Sequence, residues 1–421
     1  MLKKIRIDQL QVGMHLHELC GSWLDHPFWT KSFILRSDDE LRKLHASGVA
    51  ECWIDTAKGG DVAANDRAFS APKGRAVGTS PAPVAANAAP EPPPHVAIDE
   101  EATRAAALCL RSKEAVEALF AEARMGRALS IDELLPLVED ISTSVWRNPG
   151  ALISLARLKT HDNYSYMHSV AVCALMVSLA RKLRMTEAEC RDAGMAGLMH
   201  DIGKAVMPLD VLNKPGALDN DEYALIRSHP VRGRELLVEV ATASAMTIDV
   251  CAHHHERPDG RGYPDALSGD ELSLHARMGA VCDVYDAITS NRPYKRGWDP
   301  AGSIARMSEW SGQGQFDPAV FQTFVDSIGI YPVGSLVRLR SGRLAVVVEQ
   351  SSASALKPSV KVFFSTRSQM PIRPELVDLS RPSCSDQIVG RESNDKWRFP
   401  HLAELVPGYA DLKMNAAAGK S

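Results

Sequence analysis

The chain has 421 residues, 45% of them apolar, which is enough for two or three domains with a sizeable core. A formal net charge of −4 gives no general pull toward nucleic acid or an anionic membrane, so any anionic ligand must be met by local basic residues. Eight scattered cysteines with no CxxC pair read as reduced, mostly buried thiols. The longest apolar run, Val170 to Ala180, is too short to span a bilayer, and no hydrophobic segment of signal-peptide type follows Met1. These features predict a cytoplasmic protein without membrane insertion.

Residues 1–56 read as a small α+β module. Ile5, Ile7 and Leu10, then Met14 and Leu16, alternate in strand fashion, and Phe33-Ile34-Leu35 is a further short strand. Ser37 opens a short helix that Gly48 ends, and Glu51 to Asp55 returns as a strand, with Trp23, Phe28 and Trp29 supplying aromatic bulk. His15, His17 and His26 lack carboxylate or thiol partners at a telling spacing and read as surface histidines. Residues 57–97 are rich in Ala, Pro and Gly, bury too little to order themselves, and read as an extended, semi-stiff linker.

From residue 98 to about 330 the periodicity is helical and no run of alternating strands intervenes. Glu100 to Arg124 is one helix, and Ser130 to Glu133 has the capping-box pattern for the next. Asn148-Pro149-Gly150 breaks the pattern, and Tyr166 to Leu183 follows. Thr186 and Glu189 form a second capping box, opening the helix that ends near His200-Asp201, with Gly203 as its exit. Asp219 to Ser228 and Glu235 to His253 are further helical stretches. After Gly329 the signal turns to β. Val333 to Arg340, a turn at Ser341-Gly342 and Leu344 to Glu349 make a hairpin, and Val360 to Phe364 adds a strand. The fold class is therefore mainly α, a helical domain carrying a small α+β module ahead of it and a β-rich extension over 331–405, with a frayed tail at 406–421.

Eight of the fourteen histidines fall between His161 and His275. Singly, each has a bland reading: His168 shares a helix face with Val172, Leu175 and Leu179, and His229 before Pro230 could merely end a helix. The set resists that reading. His168, His200, Asp201, His229, His253, His254, His255 and Asp283 lie on or beside successive helices of one domain. Imidazoles and carboxylates suit Fe, Mn, Zn or Ni, and the lack of paired cysteines argues against a structural zinc. Six or seven ligands are too many for one tetrahedral ion but suit two metals roughly 3.5–4 Å apart, sharing a carboxylate, as in phosphate-ester hydrolysis. Asp201 is the natural bridge.

His168, His200-Asp201 and Asp283 together resemble the HD superfamily of metal-dependent phosphohydrolases. More narrowly, His200-Asp201-Ile202-Gly203-Lys204 followed by His254-His255-Glu256-Arg257-Pro258-Asp259-Gly260-Arg261-Gly262-Tyr263-Pro264 is similar to the HD-GYP family. Pro208, Leu212 to Gly216, His229-Pro230, Asp283 to Ala287, Arg292 to Lys295 and Phe316-Asp317-Pro318 extend the match over residues 150 to 330. Gly13-Met14 and Trp23 to Phe28 resemble a domain of poorly defined role often fused ahead of HD-GYP domains.

The resemblance implies a bacterial phosphodiesterase that opens the second messenger cyclic di-GMP through a metal-bridging hydroxide. Its metal ligands would be His168, His200, Asp201, His229, His254, His255 and Asp283, holding two divalent ions, Fe or Mn. Asp201 and Lys204 would be catalytic, with Lys204, Arg292 and Lys295 on the substrate. Gly262, Tyr263 and Pro264 would either shape the site mouth or contact GGDEF-domain cyclases. Some relatives carry a glutamate four residues before the first ligand histidine, supporting a third metal. Here Tyr164 stands there, which favours two metals and linear pGpG over GMP. A sensor that binds cyclic di-GMP with little turnover and signals through the N-terminal module is the alternative. A phosphohydrolase acting on another nucleotide is a third reading.

Overall fold

The computed structural model describes residues 2–6, 9–20, 33–35, 51–56, 58, 96–127, 129–158, 164–214, 216–290, 297–351 and 354–418. Trp23, His26, Phe28, Trp29, the helix expected between Ser37 and Gly48, nearly all of the Pro-rich stretch, Arg292 and Lys295 lie outside these residues, as do the side chains of His17 and Tyr164. The chain divides into two compact units, 1–90 and 91–421.

In the first unit, strands β1 (Leu2–Arg6), β2 (His15–Cys20), β3 (Phe33–Ile34) and β4 (Glu51–Asp55) form an antiparallel sheet in the order β1-β4-β2-β3. Ile5, Leu10, Met14, Leu16, Leu35 and Ile54 are buried, as their alternation predicts. His15, expected at the surface, is buried as well, on a strand flanked by β4 and β3.

The second unit is mainly α. Helix α1 (Ile98–Arg124) is followed by a 3₁₀ turn and α2 (Leu135–Arg147). Ser130 makes no side-chain cap hydrogen bond, so the expected capping box does not form: a tight Ile131–Leu134 turn occupies the place where its helix would begin. Asn148 breaks the chain as expected, and its side chain accepts the Gly150 N–H to cap α3 (Pro149–Arg157). Next come α4 (Tyr164–Lys182) and α5 (Glu187–Met199), the latter opened by the reciprocal Thr186/Glu189 capping box. A short turn at Leu209–Leu212 leads to α6 (Asn220–Arg227) and α7 (His229–Val238). These are followed by α8 (Ala245–His253), α9 (Leu274–Thr289), α10 (Pro300–Gly312) and α11 (Pro318–Ile328). The stretch read as continuous from Glu235 to His253 is thus two helices, and Ser244 caps the second by accepting the Thr247 N–H.

Helix α4 is the hub. Val170 to Ala180 is apolar almost throughout, and its buried side chains face α2, α3, α5, α9 and α11. After α11, strands β5 (Leu336–Leu339), β6 (Arg343–Glu349), β7 (Ser359–Ser365), β8 (Met370–Asp378) and β9 (Ile388–Arg391) form an antiparallel sheet in the order β8-β7-β6-β5-β9. One face contributes Leu336, Leu344, Val346 and Phe364 to the helical core, and the other buries Val337, Ala345, Val347, Val360 and Val362. Strand β8 is absent from the sequence reading for a physical reason. It is an exposed edge strand with Pro371 and Pro374, so it carries neither alternation nor a clean β composition. The expected fraying of the tail is also corrected. Tyr409–Ala418 is a helix (α12), with Val406 and Leu412 packed on the core and the Thr103 hydroxyl donating to Asp411 at 2.9 Å.

Candidate metal centre

Four close approaches bring the candidate ligands together, and each involves a glycine about one helical turn from a candidate ligand. A β-carbon on Gly197 would lie 2.9 Å from the Val172 carbonyl oxygen and 3.0 Å from Cys173 Cα, so α4 and α5 touch there. That contact sets His168 Nε2 3.3 Å from His200 Nε2. Gly203 presses against the His229 carbonyl, where a β-carbon would overlap the oxygen, and Gly233 presses against Cys251. Those approaches deliver His229 and His254 to Asp201. Gly279 on α9 leaves room for Val250 and His254, four residues before Asp283. Gly203 is therefore not a helix exit: the chain runs on through a 3₁₀ turn at Ile202–Val206, and the glycine is there for close packing.

His168, His200, Asp201, His229, His254 and Asp283 are all buried, and His255 is partly exposed. The groups fall into two sets around one carboxylate. Asp201 Oδ2 lies 3.6 Å from His168 Nε2 and 3.3 Å from His200 Nε2, and His168 Nε2 lies 2.9 Å from Asp283 Oδ1. Asp201 Oδ1 faces the other way, 3.2 Å from His229 Nε2 and 3.8 Å from His254 Nε2, with His255 completing that side.

The protonation pattern follows from the hydrogen bonds. Carbonyl oxygens only accept, so the Nδ1 of His200 (Gly197 O, 2.8 Å), His229 (Ile226 O, 2.7 Å) and His254 (Cys251 O, 3.0 Å) each carry the proton. His168 Nδ1 is held by Asp286 Oδ2 at 2.6 Å. Each Nε2 then turns a lone pair inward. His229 Nε2 and His254 Nε2 face each other at 3.3 Å with no proton to share, and Asp201 Oδ1 is buried without a hydrogen-bond donor. Acceptors crowded against acceptors in a dry interior are costly unless a cation lies between them, so the donor set fits divalent metal.

Electrostatics agree. Burial pushes the His254 pKa down, the neighbouring imidazoles push it further, and the ring stays neutral. His255 is lowered to about 3, chiefly by burial, with His229 and Lys204 adding to it against the pull of Asp283 and Asp201. Burial raises Asp201, but Lys204 and His200 outweigh it and hold the carboxyl well below its ordinary range. Burial likewise opposes ionisation of Asp283, and His168 and His255 overcome it. Neutral imidazoles and ionised carboxylates are the forms that bind metal.

A family model described as "HD domain" matches residues 148–320, and one described as "Domain of unknown function (DUF3391)" matches residues 2–134. A cyclic di-GMP phosphodiesterase of Pseudomonas aeruginosa is 52% identical over 412 residues, covering 97% of each chain. The chain belongs to the HD-GYP family. Other relatives are more distant. A cyclic di-GMP phosphodiesterase response regulator of Xanthomonas campestris is 32% identical over 56% of this chain and 58% of its own. The 3'3'-cGAMP-specific phosphodiesterase 1 of Vibrio cholerae is 33% identical over 39% and 38%.

Among the HD-GYP motif residues, Lys204 Nζ donates to Asp201 Oδ2 at 2.5 Å, and its side chain is 25% exposed, at the edge of the centre. His253 is turned to Asp249 (2.8 Å) and Asp265 (3.4 Å). Tyr263 is half-buried and stacks on His255, with ring centroids 4.7 Å apart. Sequence reasoning included Asp286 in the family match but gave it no role; in the structure it holds His168 Nδ1 at 2.6 Å. Its signal was its spacing: three residues after Asp283, it lies on the same face of α9. No described helix is long and apolar enough to cross a membrane.

Proposed function

We propose that this chain hydrolyses cyclic di-GMP to linear pGpG in a centre of two divalent metals, Fe or Mn. The observation that carries the reading is Asp201, whose two oxygens each face a separate set of imidazoles. His168, His200 and Asp283 would hold one ion and His229, His254 and His255 the other, with Asp201 between them. The 52% identity to a cyclic di-GMP phosphodiesterase over nearly the whole chain supports the substrate. The donor set is imidazole and carboxylate, which suits Fe or Mn, and the family resemblance is what favours those two ions.

When bound, the metals would supply Lewis acidity toward phosphoryl oxygens and ionise water near neutral pH. The protein's own contribution is positional. Asp201 is kept ionised by Lys204 and His200, so it can be shared between two cations. The Nδ1 hydrogen bonds of four imidazoles hold each Nε2 lone pair inward before metal arrives, which lowers the reorganisation needed on loading. The Lys204 ammonium, partly exposed at the edge, is placed to take up charge on a non-bridging phosphate oxygen. Arg292 and Lys295 are assigned to the substrate's phosphate and guanine by family resemblance. A GGDEF-domain partner at Gly262-Tyr263-Pro264 would be read by the exposed Arg261 and Asp265, since Tyr263 is turned onto His255.

The test is anaerobic purification with metal analysis, then incubation with cyclic di-GMP and chromatography of products. Two metals per chain with pGpG appearing is the expected result, and Asp201→Ala should lose metal and turnover together while keeping its helical content. Retained turnover in that variant would remove Asp201 from the bridge. GMP as the end product would overturn the pGpG assignment, and intact nucleotide bound to metal-replete protein would favour a sensor.

A further inference from the structure

Four of the five imidazoles in the centre are oriented by a hydrogen bond at Nδ1, to a carbonyl or to Asp286. His255 is different. Among the described residues neither of its ring nitrogens has a hydrogen-bond partner, and Asp283 Oδ2 is 3.7 Å from Nδ1. At 22% its side chain is also the most exposed of the five, the others being 4% or less. An imidazole without a hydrogen bond can turn about its ring axis and exchange its two nitrogens, so something else must hold it.

The loop that follows supplies that hold. The Tyr263 ring lies on His255 with 25° between planes, and the Arg227 guanidinium lies over Tyr263, 4.3 Å from the ring centroid. The result is an imidazole–phenol–guanidinium stack on the most exposed of the five rings. The loop is built to deliver it. A β-carbon on Gly262 would overlap Glu256 Cα and lie 2.5 Å from Arg257 N, so only glycine lets the chain fold back so tightly. Tyr263 N–H donates to the His255 carbonyl at 3.3 Å, and Glu256, itself buried, accepts the Asp265 N–H at 2.7 Å.

We propose that Tyr263, backed by Arg227, is the positioning residue for His255, doing by ring stacking what Nδ1 hydrogen bonds do for the other four imidazoles. This rests on the two-metal reading above. The phenol hydroxyl has no part in it; the ring does.

The experiment measures metal per chain and resistance to a competing chelator in full-length protein loaded anaerobically with Fe(II) or Mn(II). Wild type should hold two ions. Tyr263→Phe, which keeps the ring, should match it. Tyr263→Leu should hold one of the two ions about 10–100-fold more weakly, the loss typical of removing a ligand's orienting group. Arg227→Gln, which leaves Tyr263 in place, should show a smaller loss at the same ion. In metal-free protein, the ring-current shift of the His255 proton resonances should persist in the Phe variant and vanish in the Leu variant. Two ions of wild-type affinity in Tyr263→Leu would overturn the proposal, and that is the result expected if the loop served partner docking alone. Should Tyr263→Leu fail to fold, unchanged chelator resistance in Arg227→Gln would overturn it instead. Fewer than two ions in wild type would bring down the two-metal reading, and this proposal with it.

Discussion

The Asp286 carboxylate faces away from the space between the imidazoles. One oxygen is 2.6 Å from His168 Nδ1, and the other accepts the Ser290 hydroxyl at 3.0 Å. A carboxylate there fixes the ring and makes its inward nitrogen a better donor. Asp286→Asn keeps the shape and removes the charge, so metal affinity should fall about 10–100-fold with helical content unchanged. Chelator competition against wild type checks this, and an unchanged affinity would show that the charge is idle. Most of the inner residues were legible because imidazole and carboxylate recur on successive helices. Asp286 was not singled out, because a carboxylate that touches a ligand looks in sequence like any other helix acid.

Between elements, the decisive contacts are small side chains and one buried ion pair. Glu101 on α1 is fully buried and accepts from Arg147 Nε (2.6 Å), Arg147 Nη2 (2.9 Å) and the Ser144 hydroxyl (2.8 Å), tying α1 to α2. Arg104 Nη1, 3.4 Å from Glu101 Oε2, and the Ser144 hydroxyl would remain, so Arg147→Met leaves the carboxylate under-compensated and should cost on the order of 2 kcal/mol in a denaturant titration. The pH dependence has a definite sign. Burial alone would raise the Glu101 pKa, but the Arg147 and Ser144 hydrogen bonds outweigh it and carry it below the ordinary value of 4.5. Its contribution is therefore complete above about 4.5 and lost as pH falls through the lower folded value. In Arg147→Met burial acts unopposed by the guanidinium, so the gap between variant and wild type should narrow on acidification. A gap that widens would refute the sign. The capping pattern at Thr186 was legible because it is local. Ser130 misled because the chain satisfies its next turn without the serine side chain.

At the scale of the molecule, the second unit closes on itself through its last helix. Gly408, at φ +76°, lets the chain approach Ala102 so tightly that a β-carbon would lie 2.9 Å from the Ala102 carbonyl oxygen, and Leu412 packs on the core. Deleting residues 406–421 should expose that apolar seam and cost on the order of 2–3 kcal/mol, read as a lower unfolding midpoint, with metal content unchanged. Loss of metal on deletion would mean that the tail supports the centre as well as the core. The sequence by itself determined the class of the protein: a helical domain with a dense imidazole and carboxylate set, a small α+β module ahead of it and a hairpin behind. Those features rest on periodicity and on residue chemistry, which are local. Only the tertiary structure decided which oxygen of Asp201 faces which imidazoles, that glycines one turn from the ligands let the helices meet, and that Tyr263 lies on His255. Each of these depends on the approach of segments distant in the chain, and no local pattern encodes that distance.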